Sequence, residues 1–170
     1  MLMWEKPEVM KNIVAQIEKP DILRKNIKDQ FLTSSEKKQL EQKYLNECVV
    51  QDDIVVSGVD AICIRQKNYD KKVKHRAMIY AHGYSTDLEV AKYEMAKLAI
   101  ECNCFVIGID YDMAKPGTDN NYKGQQDFYN LIIEVYTKPS KFYHIDKTKI
   151  VIAGGSTGAW ITLGAAKMLA

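Results

Sequence analysis

Histidine is scarce in this chain: His75, His82 and His144 are the only three among 170 residues. Any general base built on imidazole has to be sought among them. The stretch from Thr157 to Ala170 holds no Asp, no Glu and no His. Long apolar runs are missing too, so no segment reaches the ~20 residues of a bilayer-spanning helix. The start Met1-Leu2-Met3-Trp4-Glu5-Lys6-Pro7 is followed by charged, broken sequence with no apolar h-region. Charge of one sign is lacking: 24 Lys and Arg against 22 Asp and Glu leave a net +2. That balance gives no reason to expect nucleic acid or an anionic membrane as partner. Cys48, Cys63, Cys102 and Cys104 show no zinc spacing and are expected to be core thiols. No metal or other cofactor is implied, a cytoplasmic location is the simplest expectation, and oligomeric state leaves no mark.

What is present begins with apolar content, 46% of the chain, enough for one good core. Met10, Ile13, Val14 and Ile17 recur at helical spacing until Pro20, and Ile22, Leu23 and Ile27 suggest a second short helix. Thr33-Ser34-Ser35-Glu36 reads as a capping box opening a helix whose apolar face carries Leu40, Tyr44 and Leu45. Residues 1–48 are therefore expected to form a helical segment that covers something, ahead of an α/β unit over 49–170. Ile54-Val55-Val56 and Ala61-Ile62-Cys63-Ile64 flank the turn signal Ser57-Gly58-Val59-Asp60 and predict an edge hairpin.

Beyond the basic run Lys71-Lys72-Val73-Lys74-His75-Arg76, expected as a solvated loop, Ala77-Met78-Ile79-Tyr80-Ala81 is apolar without interruption. Thr86-Asp87-Leu88-Glu89 reads as a second capping box, with Leu88, Ala91, Met95, Leu98 and Cys102 on one helical face. Phe105–Ile109 is a second buried strand. Phe128, Leu131, Ile132 and Val135 mark a helix ended by Lys138-Pro139, and Ile150–Ala153 is a third strand. The alternation predicts a mostly parallel sheet with right-handed crossovers and helices on both faces.

The third strand runs into Gly154-Gly155-Ser156-Thr157-Gly158. A G-x-S-x-G turn between strand and helix holds its serine at a strained apex, where the hydroxyl is open to a base and a carbonyl. Gly154 and Gly158 supply the side-chain-free neighbours that such a turn needs. Glycine-rich turns of this kind also cradle dinucleotide phosphates, as in short-chain dehydrogenases, but Trp160 sits where the last small residue is required and is expected to block helix–strand contact.

In order and spacing, these pieces resemble the α/β-hydrolase superfamily, most closely its hormone-sensitive-lipase-like esterase branch. Asp53–Asp60 with Ile64-Arg65 is similar to the opening hairpin, Tyr80-Ala81-His82-Gly83 to the strand and H-G oxyanion loop, Val106–Tyr111 to the strand ending in Asp-Tyr, and Ile145–Gly154 to the run into the nucleophile. The resemblance implies Ser156 as nucleophile toward a small-molecule ester, and oxyanion N–H donors from Thr157, Gly83 and Tyr84. It implies that His82 shapes the loop rather than serving as base; Asp110 and Asp112, near the carboxyl end of a strand, are expected to cap a helix or to make loop hydrogen bonds. His75 and His144 are expected at the surface. Where the branch has three glycines, this chain has His82-Gly83-Tyr84-Ser85. The superfamily order is nucleophile, acid, histidine. The expectation is thus the N-terminal portion of an ester hydrolase, truncated after the elbow and inactive alone. The alternatives are a non-catalytic binding relative and, less favoured, a dinucleotide-binding reductase fragment.

Overall fold

The computed structural model describes residues 25, 35–83, 86–112, 122–142 and 144–170. The helices expected between Met10 and Ile27, the Thr33 cap, and Tyr84 and Ser85 lie outside the described residues. The first complete element is helix α1, Ser35–Asn46. Its Tyr44 and Leu45 pack against the core as expected, and the Tyr44 hydroxyl donates to Glu101 Oε1 at 3.0 Å.

Strands β1, Cys48–Val56, and β2, Val59–Gln66, form the hairpin. They are longer than the apolar runs suggested, because the turn uses only two residues: Ser57 at φ 53° and Gly58 at φ 83°. Two left-handed residues give a turn whose twist matches that of the strands, so pairing continues up to Val56 opposite Val59. A register shift between Gln51 and Ile54 takes up the polar Asp52-Asp53 pair.

The remaining strands are β3, His75–Ala81, β4, Phe105–Ile109, and β5, Ile145–Gly154. The sheet order is β1-β2-β4-β3-β5, with β4, β3 and β5 parallel and the hairpin added antiparallel through β2. All five residues of β4 are buried, which a strand covered on both faces requires. One face packs α3, Lys123–Thr137, and α4, Thr157–Leu169, through Phe128, Leu131, Val135, Ile161 and Ala165. The other packs α2, Leu88–Glu101, through Ala91, Met95, Ala96 and Ala99. Helices on both faces are as the alternation predicted.

Three local expectations are corrected. The cap of α2 is Asp87, whose carboxylate accepts from Val90 N at 3.0 Å, while the Thr86 hydroxyl donates to Gly83 O at 3.1 Å. An aspartate one residue nearer the helix outcompetes the threonine of the box. Cys102 lies past the last turn of α2 and is exposed, whereas Cys48, Cys63 and Cys104 are buried. Burial pushes the Cys63 thiol up to about 12 and those of Cys48 and Cys104 up to about 11, so these three are inert core thiols. His75 belongs to β3 rather than to the basic loop, and its half-buried ring stacks on Phe105 at 4.8 Å.

Candidate active site

β5 delivers the chain to its apex. Ser156 adopts φ 53° and ψ −120°, a conformation that L side chains rarely accept, and it directly precedes the first turn of α4. The two outer glycines do not share that strain. Gly58 is the only glycine with positive φ among the described residues. They are required by close approach instead: a Cβ on Gly154 would stand 2.3 Å from Gly158 O, and one on Gly158 would stand 2.0 Å from Ala81 O. The turn folds so tightly onto the end of β3 that neither position has room for a methyl.

This geometry corrects the argument from Trp160. The indole is 49% exposed and turned out of the helix–strand contact, which is made by Gly158. Trp160 therefore does not obstruct a phosphate turn in the way its position suggested.

Register brings the other predicted groups to the same end of the sheet. Tyr80 pairs with Ala153 and Ala81 with Gly154, and Gly155 N donates to Ala81 O at 3.1 Å. The H-G loop then leaves β3 directly above the elbow. A Cβ on Gly83 would lie 3.6 Å from both Gly155 O and Ser156 Cβ. Gly83, Ser156 and Thr157 are thus neighbours, while Tyr84 falls outside the described residues. Thr157 N is the first helical N–H of α4, one that the helix itself leaves without an acceptor. The helix N-terminus also favours negative charge at this spot.

His82 is buried, with its Nδ1 2.9 Å from Gly83 O and its Nε2 3.6 Å from Asp110 Oδ1. Its ring stacks on Tyr111 at 4.4 Å, and the Tyr111 hydroxyl donates to the His82 carbonyl. Asp110 and Asp112 occupy the loop after β4. Asp112 accepts from Lys123 Nζ at 2.9 Å, and its own N–H donates to the buried Asp127 at 3.2 Å. Asp110, Tyr111, Asp112 and Lys123, with Gly58, Val59 and Asp60, line a polar cleft of about 370 Å³. Under the elbow, a Cβ on Gly155 would meet the Tyr80 hydroxyl at 2.7 Å. Burial, followed by a hydrogen bond to Glu94, raises the Tyr80 pKa above its ordinary value and keeps the phenol neutral.

His75 and His144 stand elsewhere. His75 pairs with Ile145 at the opposite end of the parallel strands, and His75 N donates to His144 O at 2.7 Å. The ten residues of β5 separate them from Ser156, a span of roughly 30 Å at strand rise. His144 is exposed as expected, and His75 is half-buried. Sequence reasoning gave no role to Tyr111, Tyr80 or Asp127. The available signal was a polar or aromatic residue beside an otherwise apolar strand or helix face, which does not name a partner.

No family model matches the chain, and no curated protein does. Solved structures do. An esterase from Pyrobaculum calidifontis superposes with a TM-score of 0.65 at 24% identity, covering 88% of this chain and 51% of that one. A fungal esterase from Rhizomucor miehei gives 0.72 at 16% identity, covering 88% and 48%. A thermostable esterase from Pseudomonas putida gives 0.62 at 14%, covering 77% and 44%. The chain thus spans about half the length of the esterases it matches. Over that span it shares the fold of these solved esterases, a mostly parallel sheet with helices on both faces, with its strained serine at the strand-to-helix turn.

Proposed function

We propose that this protein is a serine hydrolase of carboxylic esters, with Ser156 as nucleophile. The observation that carries the proposal is the left-handed Ser156 backbone at the apex of β5 and α4, within contact of Gly83. The Ser156 Oγ adds to the ester carbonyl carbon as a base removes its proton. The carbonyl oxygen becomes an oxyanion that accepts from Thr157 N–H, Gly83 N–H and the N–H of Tyr84. Collapse breaks the carbon–alkoxy bond, the alcohol leaves with the proton, and water releases the acid from the acyl-serine. Each lost oxyanion donor raises the barrier by about 3 kcal/mol. His82, Gly154 and Gly158 shape this acceptor site without touching the substrate. In this proposal residues 1–48 form a cap-like segment over the acyl site and 49–170 the core that carries the chemistry. A small-molecule ester, no cofactor, no nucleic acid and a cytoplasmic location complete it. Among the described residues, no helix is long and apolar enough to cross a membrane.

None of the three histidines is placed to take the serine proton. His75 and His144 are at the wrong end of the sheet, and His82 is stacked on Tyr111 with Nδ1 against Gly83 O. The test therefore supplies the base. A fluorophosphonate is presented to residues 1–170 with and without added imidazole. Labelling that depends on imidazole and disappears in Ser156→Ala supports the proposal. Folded protein that stays unlabelled with imidazole present, or a Ser156→Ala variant that labels equally, overturns it.

A further inference from the structure

The loop that would bind the oxyanion is held from below by one buried phenol. Tyr111, 2% exposed, donates its hydroxyl to the His82 carbonyl, and its ring lies against the His82 imidazole at 4.4 Å and 19°. Its own position is fixed on three sides. On one flank Asp110 N donates to Asp60 O at 2.8 Å, and on the other Asp112 N donates to Asp127 Oδ2 at 3.2 Å. From α3, a Cβ on Gly124 would stand 3.0 Å from the Tyr111 ring, so the helix backbone rests close against it. Tyr111 therefore has little freedom to follow the loop, and the loop must follow Tyr111.

There are no cis peptide bonds among the described residues, and a trans peptide points its N–H opposite to its C=O. With the His82 carbonyl drawn down to the Tyr111 hydroxyl, the Gly83 N–H of the same peptide is turned the other way. The next carbonyl, that of Gly83, is tied by Thr86 N at 3.2 Å and Thr86 Oγ1 at 3.1 Å. Gly83 itself lies against Ser156. We infer that Tyr111 is a positioning residue for the oxyanion site: its hydroxyl sets the plane of the His82–Gly83 peptide and so aims the Gly83 N–H. The inference rests on the ester-hydrolase proposal for its catalytic meaning, but the hydroxyl-to-amide linkage stands on geometry alone.

Tyr111→Phe keeps the ring and removes the donor. In residues 1–170 carrying nitrogen-15 glycine, the Gly83 amide resonance shifts or broadens in Tyr111→Phe while those of Gly58 and Gly164 stay in place. With imidazole present, the maximal rate of fluorophosphonate labelling at Ser156 falls about tenfold, and the half-saturating probe concentration is unchanged. A tyrosine whose hydroxyl only stabilises the fold would lower stability in Tyr111→Phe and leave both readouts where they were, and that result overturns the inference. If Tyr111→Phe does not fold, 3-fluorotyrosine at position 111, a stronger donor in the same ring, must move the Gly83 resonance; an unmoved resonance overturns the inference as well. Should the parent protein fail to label at all, the ester-hydrolase proposal falls, and the Gly83 amide still decides whether Tyr111 sets the peptide.

Discussion

The two ends of the parallel strands use the same residue types for different ends. At the start of β3 and β4, the His75 ring stacks on Phe105, Tyr69 meets both edge-on at 5.5 and 5.3 Å, and Arg65 sits over Tyr69 at 5.1 Å. Ring contacts close this lower end of the core, and the His75 Nε2 also lies 2.7 Å from a backbone oxygen, Asp70 O, in the segment before β3. At the other end the His82 ring also stacks on a buried aromatic, Tyr111, and there the contacts to backbone gather around the elbow. The phenol holds a carbonyl, the elbow glycines admit neighbouring peptides, and a serine is held at positive φ. A histidine–aromatic stack is thus no signature of a site. What separates the two ends is whether the peptide groups that side chains hold lie beside a strained serine.

Among substitutions, the greatest loss of stability is expected in the Tyr69–His75–Phe105 cluster. Phe105→Ala removes a buried ring that both Tyr69 and His75 lean on, and should cost about 3–5 kcal/mol in urea unfolding. It should leave imidazole-dependent labelling of the folded fraction unchanged. Labelling that collapses in the folded fraction of this variant would mean that the two ends are coupled.

At the elbow, Gly158→Ala forces a methyl onto Ala81 O, a backbone atom with no freedom to yield. It should cost about 2–3 kcal/mol and abolish labelling even in the fraction that remains folded. Gly83→Ala is the control within the same end, since its Cβ would make only ordinary 3.6 Å contacts; stability should stay within about 0.5 kcal/mol. Equal losses from the two glycines would contradict the distinction between close approach and open loop. Smaller again, Tyr111→Phe gives up one buried hydrogen bond and should cost about 1 kcal/mol, with its larger effect on the labelling rate.

The smallest stability effect is expected on the side of the sheet that neither end controls. Val151 on β5 and Trp160 and Leu163 on α4 are 55%, 49% and 71% exposed, an apolar strip beside a strand paired only on its β3 side among the described residues. Leu163→Lys should change unfolding free energy by less than about 0.5 kcal/mol while reducing association in sedimentation. An unchanged sedimentation profile would show that this strip does not drive self-association.

Much of the fold could be read from the chain because it is written in local pattern. Uninterrupted apolar runs gave β3, β4 and β5, helical spacing gave α2 and α3, and Ser57-Gly58 marked the hairpin. The motif Gly154–Gly158 placed a serine at a turn, and the structure puts a strained backbone at that serine. The rest depends on contacts that pattern does not encode. The Tyr111 hydroxyl meets a carbonyl 29 residues earlier, Asp127 reaches an N–H 15 residues earlier, and nothing in the local sequence names either partner. Trp160 misled for the same reason: its spacing from Gly158 says how far along the helix it lies, while the helix phase turns it outward. The outer glycines were read correctly as side-chain-free neighbours of the serine, but the atoms that crowd them, Gly158 O at Gly154 and Ala81 O at Gly158, appear only in the fold.

The proposal stands or falls with Ser156 as a nucleophile beside the N–H groups of Gly83 and Thr157. Acyl transfer tests it most directly, because deacylation needs the base as much as acylation does and the acyl-serine should therefore persist once formed. Residues 1–170 are exposed briefly to p-nitrophenyl acetate with imidazole, the small molecules are removed, and the intact mass and the modified residue are determined. One added acetyl group is expected, on Ser156, absent from Ser156→Ala and absent when imidazole is omitted. Acetylation spread over lysines to the same extent in parent and Ser156→Ala protein would contradict it.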